Sequence, residues 1–158
     1  MSFLRKPTPA PTPKSKDVTT IATFYAILLF VMAATQLLTF EKFLALFSTF
    51  EFPFGTGFSY FATAVTVFLE IFALPFLLRL PLSPAFRVFS MVCGWLVALV
   101  WLKVTIWLVW TDPAVNNVGF IGTVTDLMPG WWAVFIAGAL GILAIWASWG
   151  MWPLKRKK

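Results

Sequence analysis

Histidine is absent from this chain of 158 residues, cysteine occurs once, at Cys93, and charged residues make up only 11%. Without histidine there is no His-ligated haem and no His-containing zinc site, and one cysteine cannot form an internal disulfide or a CxxC redox pair. The shortage of charge is equally informative, because a soluble domain carries about 25% charged residues. Hydrophobic residues reach 60%. A soluble core of this size buries only about 70% of the unfolded surface, so too much apolar surface would remain in water. The composition excludes a soluble globular domain, a disordered chain and a DNA-binding module. It leaves an integral membrane protein.

What the sequence does contain is four long apolar runs, at about 18–38, 58–78, 86–110 and 129–152. Each matches the length of roughly 20 residues that a membrane helix needs. None alternates in the manner of a barrel strand. Apart from Arg87 at the very start of the third, the second and third runs each carry one charge, Glu70 and Lys103. A central charge costs roughly 2.5–3.5 kcal/mol on the insertion scale, whereas about a dozen Leu, Ile, Val and Phe residues return roughly 4–7 kcal/mol. Both runs therefore insert. The first is expected to be an uncleaved anchor. Its apolar core is too long for a signal peptide, a Pro/Lys-rich tail over 1–17 precedes it, and no small-residue cleavage site follows. The expected fold class is all-α: an integral membrane four-helix bundle over 18–152, with a short amphipathic interfacial helix between the first and second spans.

Charge sets the expected orientation. Arg5, Lys6, Lys14 and Lys16 precede the first span, Arg79 and Arg87 bracket the turn between the second and third, and Lys155, Arg156, Lys157 and Lys158 close the chain. Four spans put all ten on one side. The other side holds Lys42 with Glu41, Glu51, Asp112 and Asp126. The positive-inside rule then places both termini in the cytoplasm, in a multi-pass plasma (cytoplasmic) membrane. The net charge of +6 is thus an orientation signal that also favours anionic lipid, and no nucleic-acid partner is expected. Trp107, Trp110, Trp131 and Trp132 fall at the outer interface and Trp146, Trp149 and Trp152 at the inner one, as amphipathic rings should. Trp95 and Trp101 lie deeper, as packing residues.

The connecting segments divide by composition. The tail 1–17, with Pro7, Pro9, Pro11 and Pro13, is expected to be a disordered cytoplasmic leader, and 153–158 a basic cytoplasmic tail. In FEKFLALFSTF, residues 40–50, Phe40, Phe43, Leu44 and Phe47 form one helical stripe, which is read as a helix lying on the outer membrane surface. The loop 111–128 is the longest segment expected to be exposed.

Glu70 is the first candidate for chemistry. Tyr60, Thr63, Thr66 and Glu70 are spaced three, three and four apart, which makes one polar stripe. An intramembrane acid normally turns to the bundle interior, where it is a candidate for proton exchange. Pro75, just over a turn further on, removes the hydrogen bond to the Ile71 carbonyl and would kink the helix there. Lys103 sits roughly 8 Å from Glu70 in depth when both spans are scaled to the hydrocarbon core. Gln36 lies at a similar depth to Lys103 and shares a helix face with Tyr25. The candidate intramembrane polar site is therefore Glu70, Lys103, Gln36, Thr66 and Tyr25, with no catalytic residue and no metal assigned. A buried Glu–Lys pair that only fixes helix register is the competing reading. Cys93 reads as a small apolar residue. Ala133, Ala137, Gly138, Gly141 and Ala144 permit close helix contact, within the bundle or at the face of a homo-oligomer.

The first span leading into FEKFLALFSTF, the intramembrane acid in VFLEIFALPFLLRL with its basic turn, and the third span that follows at once in FRVFSMVCGWLVALVWL together resemble the DoxX/MauE-like group of small four-helix membrane proteins. The resemblance covers roughly 20–150. The glycines that this family carries after the acid are replaced by Ala73 and Pro75. The resemblance implies an accessory or assembly subunit of a quinone-linked or thiol-linked membrane redox system, a membrane redox partner protein and contact with quinone. It makes a non-catalytic subunit the expectation, and Glu70 alone carries over as the family-like acid. Two other readings stay open from the residues. One is a small oligomeric transporter or channel component using the Glu/Lys site. The other is a purely structural membrane subunit.

Overall fold

The computed structural model describes residues 7–111 and 113–152, so Asp112 and the tails 1–6 and 153–158 lie outside the described residues. It contains α1 (Lys16–Leu38), α2 (Phe40–Ser48), α3 (Gly55–Leu77), α4 (Pro84–Thr111) and α5 (Trp131–Gly150). All but α2 are long and apolar enough to cross a membrane. Their boundaries fall within three residues of the four runs read from the sequence. The chain is a multi-pass integral membrane protein, and its four long helices form a ring in which α1 packs on α3, α3 on α4, α4 on α5, and α5 on α1.

Local chemistry sets the helix ends. Ser15 caps α1, its hydroxyl accepting from the Val18 N–H, and Asp17 sits in the first turn, where the helix dipole favours a negative charge. Pro84 opens α4 behind Ser83, whose Oγ accepts from the Phe86 N–H at 3.3 Å, so the missing proline N–H costs nothing. At the end of α3, Arg79 takes a left-handed φ of 58°. The Leu80 N–H returns to the Pro75 carbonyl at 3.0 Å and the Arg79 N–H to Phe76 at 3.1 Å, which closes the helix as a Schellman motif. Pro75 does not end α3. The Ser90 hydroxyl of α4 enters the helix beside it, donating to the Phe72 carbonyl at 2.6 Å and accepting from the Phe76 N–H at 3.0 Å. The neighbouring helix thereby satisfies backbone groups that the proline loosened.

The apolar residues divide between the interior and a lipid-facing belt. Tyr25, Leu29, Val97 and Trp101 are fully buried, while Phe24, Phe61, Phe135 and Ile142 are exposed on the outside of the bundle. A helix that is apolar all round suits a membrane span. Inside the bundle, helix association rests on packing and interhelical hydrogen bonds, since lipid tails are as apolar as the core.

Three segments differ from the sequence expectation. The tail expected to be disordered over 1–17 is laid down as an extended strap over 7–15, and α1 already starts at Lys16. Thr8 pairs with Leu82 in an isolated antiparallel bridge. Arg87, read as an orientation charge, is buried and donates through Nη2 to the carbonyls of Thr8 at 2.6 Å and Pro9 at 3.1 Å. A proline-rich strand with few N–H groups of its own leaves its carbonyls free to accept such donors. Second, the apolar stripe of α2 faces the bundle rather than lipid. Phe43 and Phe47 are fully buried, and Phe47 meets Trp101 edge-on at 6.2 Å. Third, the loop after α4 is not exposed throughout. Residues 117–120 and Gly122 are buried, because the run Val118-Gly119-Phe120 is apolar and dips into the end of the bundle.

Candidate functional site

Where that loop enters the bundle it meets Gln36 and Trp101, the two partners of Glu70, which is fully buried on α3 together with Ser59, Thr63 and Thr66. The stripe expected to face inward therefore does so, apart from Tyr60, which is half exposed. Glu70 Oε1 accepts two hydrogen bonds, one from Trp101 Nε1 of α4 at 2.9 Å and one from Gln36 Nε2 of α1 at 3.2 Å. The same Gln36 amide donates to the Phe120 carbonyl of the loop at 2.9 Å, and the Phe120 ring lies against Trp101 with centroids 4.7 Å apart. The carboxyl thus joins α3 to α1 and α4, and the Gln36 amide carries the connection on to the loop. Glu70 Oε2 and Gln36 Oε1 are buried and have no hydrogen-bond partner among the described residues.

Loop chemistry brings Phe120 to this position. Asn117 Oδ1 accepts from the Gly119 N–H at 2.9 Å, an Asx turn, and its Nδ2 donates to the Gly122 carbonyl at 3.0 Å. The Val118 N–H reaches the Leu127 carbonyl at 2.8 Å. Gly122 has a φ of +63°, and a Cβ there would stand 2.9 Å from the Thr35 carbonyl. Only glycine allows this approach of the loop to the end of α1. Thr39 Oγ1 then accepts from the Thr123 N–H at 3.2 Å and completes the docking.

The five residues proposed from sequence do not form one cluster. Glu70 and Gln36 are bonded directly. Thr66 is buried one turn away but spends its hydroxyl on its own helix, donating to the Ala62 carbonyl at 2.8 Å. Tyr25 is buried and donates to the Gly94 carbonyl of α4 at 2.7 Å, which pins α1 across the bundle to α4. Lys103 is exposed on the outer face of α4, away from the carboxyl. The partner that sequence reasoning missed is Trp101. Its signal was present, since a tryptophan far from either interface needs an internal partner for its N–H. Cys93 is buried and free. No group of three or more His, Cys, Asp and Glu comes together among the described residues.

No family model, no curated protein and no solved structure matches this chain.

Proposed function

We propose that this membrane protein is an accessory or assembly subunit of a membrane redox system, quinone- or thiol-linked, as its resemblance to the DoxX/MauE-like group implies. It sits in the plasma (cytoplasmic) membrane with both termini in the cytoplasm. The observation that carries a non-catalytic role is the Glu70 node. Its hydrogen bonds bind three helices and a loop to one another, an arrangement suited to holding a surface in shape. That surface is the loop end of the bundle, where Trp110, Val124, Met128 and Trp131 are exposed. Large apolar side chains grouped at one end are what a partner subunit would cover.

The experiment is to extract the C-terminally tagged protein from its own membranes in mild detergent and identify stoichiometric partners by mass spectrometry. Recovery of a dehydrogenase, thioredoxin-like protein or quinone enzyme, lost in Glu70→Leu and kept in Glu70→Gln, supports the proposal. A protein that purifies only with itself overturns it. A second reading, a small oligomeric transport component, is favoured by one observation. Glu70 is a fully buried carboxyl in the middle of a span, and acids placed inside a membrane bundle mark ion pathways and proton relays. Proton flux in proteoliposomes that disappears in Glu70→Gln would select this reading.

A further inference from the structure

Lys103 is a charged side chain of the third span that neither the internal site nor the strap held by Arg87 uses, and its surroundings give it a different task. On α4 it follows Leu102 and lies one turn from Leu99, and both of these line an apolar groove between α4 and α5. The groove has a volume of about 380 Å³, within the range of roughly 300–1,000 Å³ typical of ligand clefts. Trp95 lies at its end toward the start of α4, held by a hydrogen bond from its Nε1 to Ser148 Oγ at 3.0 Å. Ala98, Gly138 and Gly141 belong to its walls, and their small side chains leave the space open. From Trp95 to Leu102 the groove runs about 10 Å along the helix, and Lys103 stands at its other end.

We propose that this groove binds one anionic phospholipid of the leaflet at the loop end, with an acyl chain between α4 and α5 and the phosphate on the Lys103 ammonium. Depth supports this occupant. Lys103 lies four residues, about 6 Å, below Trp107 along the helix, and tryptophan marks the interface level. A lysine stem spans such a distance, so the ammonium snorkels to the headgroups while its methylenes stay beside the groove. Charge supports it too. Neither α4 nor α5 carries an acidic residue, so the helices that form the groove offer Lys103 no counter-ion, and a lipid phosphate supplies one. A second copy of the chain is a poorer occupant. A two-fold axis along the membrane normal would set two Lys103 side chains at the same depth, and like charges repel strongly where little water is present.

The test is native mass spectrometry of the full chain in mild non-ionic detergent, titrated with phosphatidylglycerol or with phosphatidylcholine of identical acyl chains. The wild type retains one phosphatidylglycerol with a preference of roughly fivefold, the worth of one basic side chain at an anionic surface. Lys103→Gln binds the two lipids equally, and Lys103→Arg restores the preference. Gly141→Leu fills the groove and loses both lipids. A Cβ at Gly141 meets only the Ala98 Cβ, at 3.9 Å, so the first atom of the new side chain enters without a clash. Should Gly141→Leu fail to fold, the Lys103 arm still decides. Equal retention of both lipids by the wild type overturns the proposal, as does a preference that persists in Lys103→Gln. A dimer that Gly141→Leu splits, with lipid binding unchanged, assigns the groove to a second copy instead.

Discussion

Glu70 takes its two donors from different helices, so the effect of replacing it depends on whether the new side chain can still accept. Glu70→Gln keeps an oxygen for Trp101 Nε1 and Gln36 Nε2, and its melting temperature should stay close to that of the wild type. Glu70→Leu strands Trp101 Nε1 in the interior at a cost of about 1–3 kcal/mol and leaves the Gln36 amide with the Phe120 carbonyl alone, and Trp101→Phe, which removes one donor, should fall between the two. Circular dichroism melts in detergent give the order. Lys103→Leu should be nearly neutral in the same assay and additive with Glu70→Leu, because the two side chains share no partner. A coupling energy above about 0.5 kcal/mol would indicate a contact between them. The acid and Gln36 were legible in the sequence, because polar residues inside apolar runs are few. The assignment of Lys103 to the same site rested on depth and left out the angle around the helix. Lys103 is two residues from the inward-facing Trp101, hence about 200° round α4, on the opposite face.

At the scale of elements, the four long helices were legible because length and hydropathy decide membrane insertion almost alone. The shorter pieces were not, because long-range hydrogen bonds place them. The stripe in α2 was correct in register, yet a periodic pattern does not say whether lipid or protein covers the apolar face. The strap over 7–15 depends on Arg87, far along the chain, whose guanidinium gathers its carbonyls. The loop after α4 depends on Gly122. Gly122→Ala forces a side chain into a left-handed backbone, which costs about 1–2 kcal/mol, and pushes it against the Thr35 carbonyl. Limited proteolysis should then cut within 113–130 faster than in the wild type, while the long helices melt as before. Unchanged cleavage would mean that the loop does not need the close approach to α1.

For the molecule as a whole, the strap over 7–15 and the end of α5 meet at one end of the bundle. The Lys14 N–H donates to the Gly150 carbonyl at 3.2 Å, and the Lys14 ammonium lies 4.1 Å from the Trp149 ring centroid. The proposed orientation, which follows the positive-inside rule, has that end in the cytoplasm. In a Cys93→Ser background, a cysteine at Thr12 should be labelled by an impermeant thiol reagent only after the cells are opened, and one at Asn116 in intact cells. The reverse pattern would invert the orientation.

The Glu70 carboxyl and the Gln36 amide together fasten the loop to three helices. Hydrogen–deuterium exchange of the purified protein tests this most directly, because it reads the opening of a segment from its amides. The amides of 118–123 should be protected in the wild type and in Glu70→Gln, and should exchange freely in Glu70→Leu while the centres of α3 and α4 stay protected. Equal protection of 118–123 in all three proteins would contradict it.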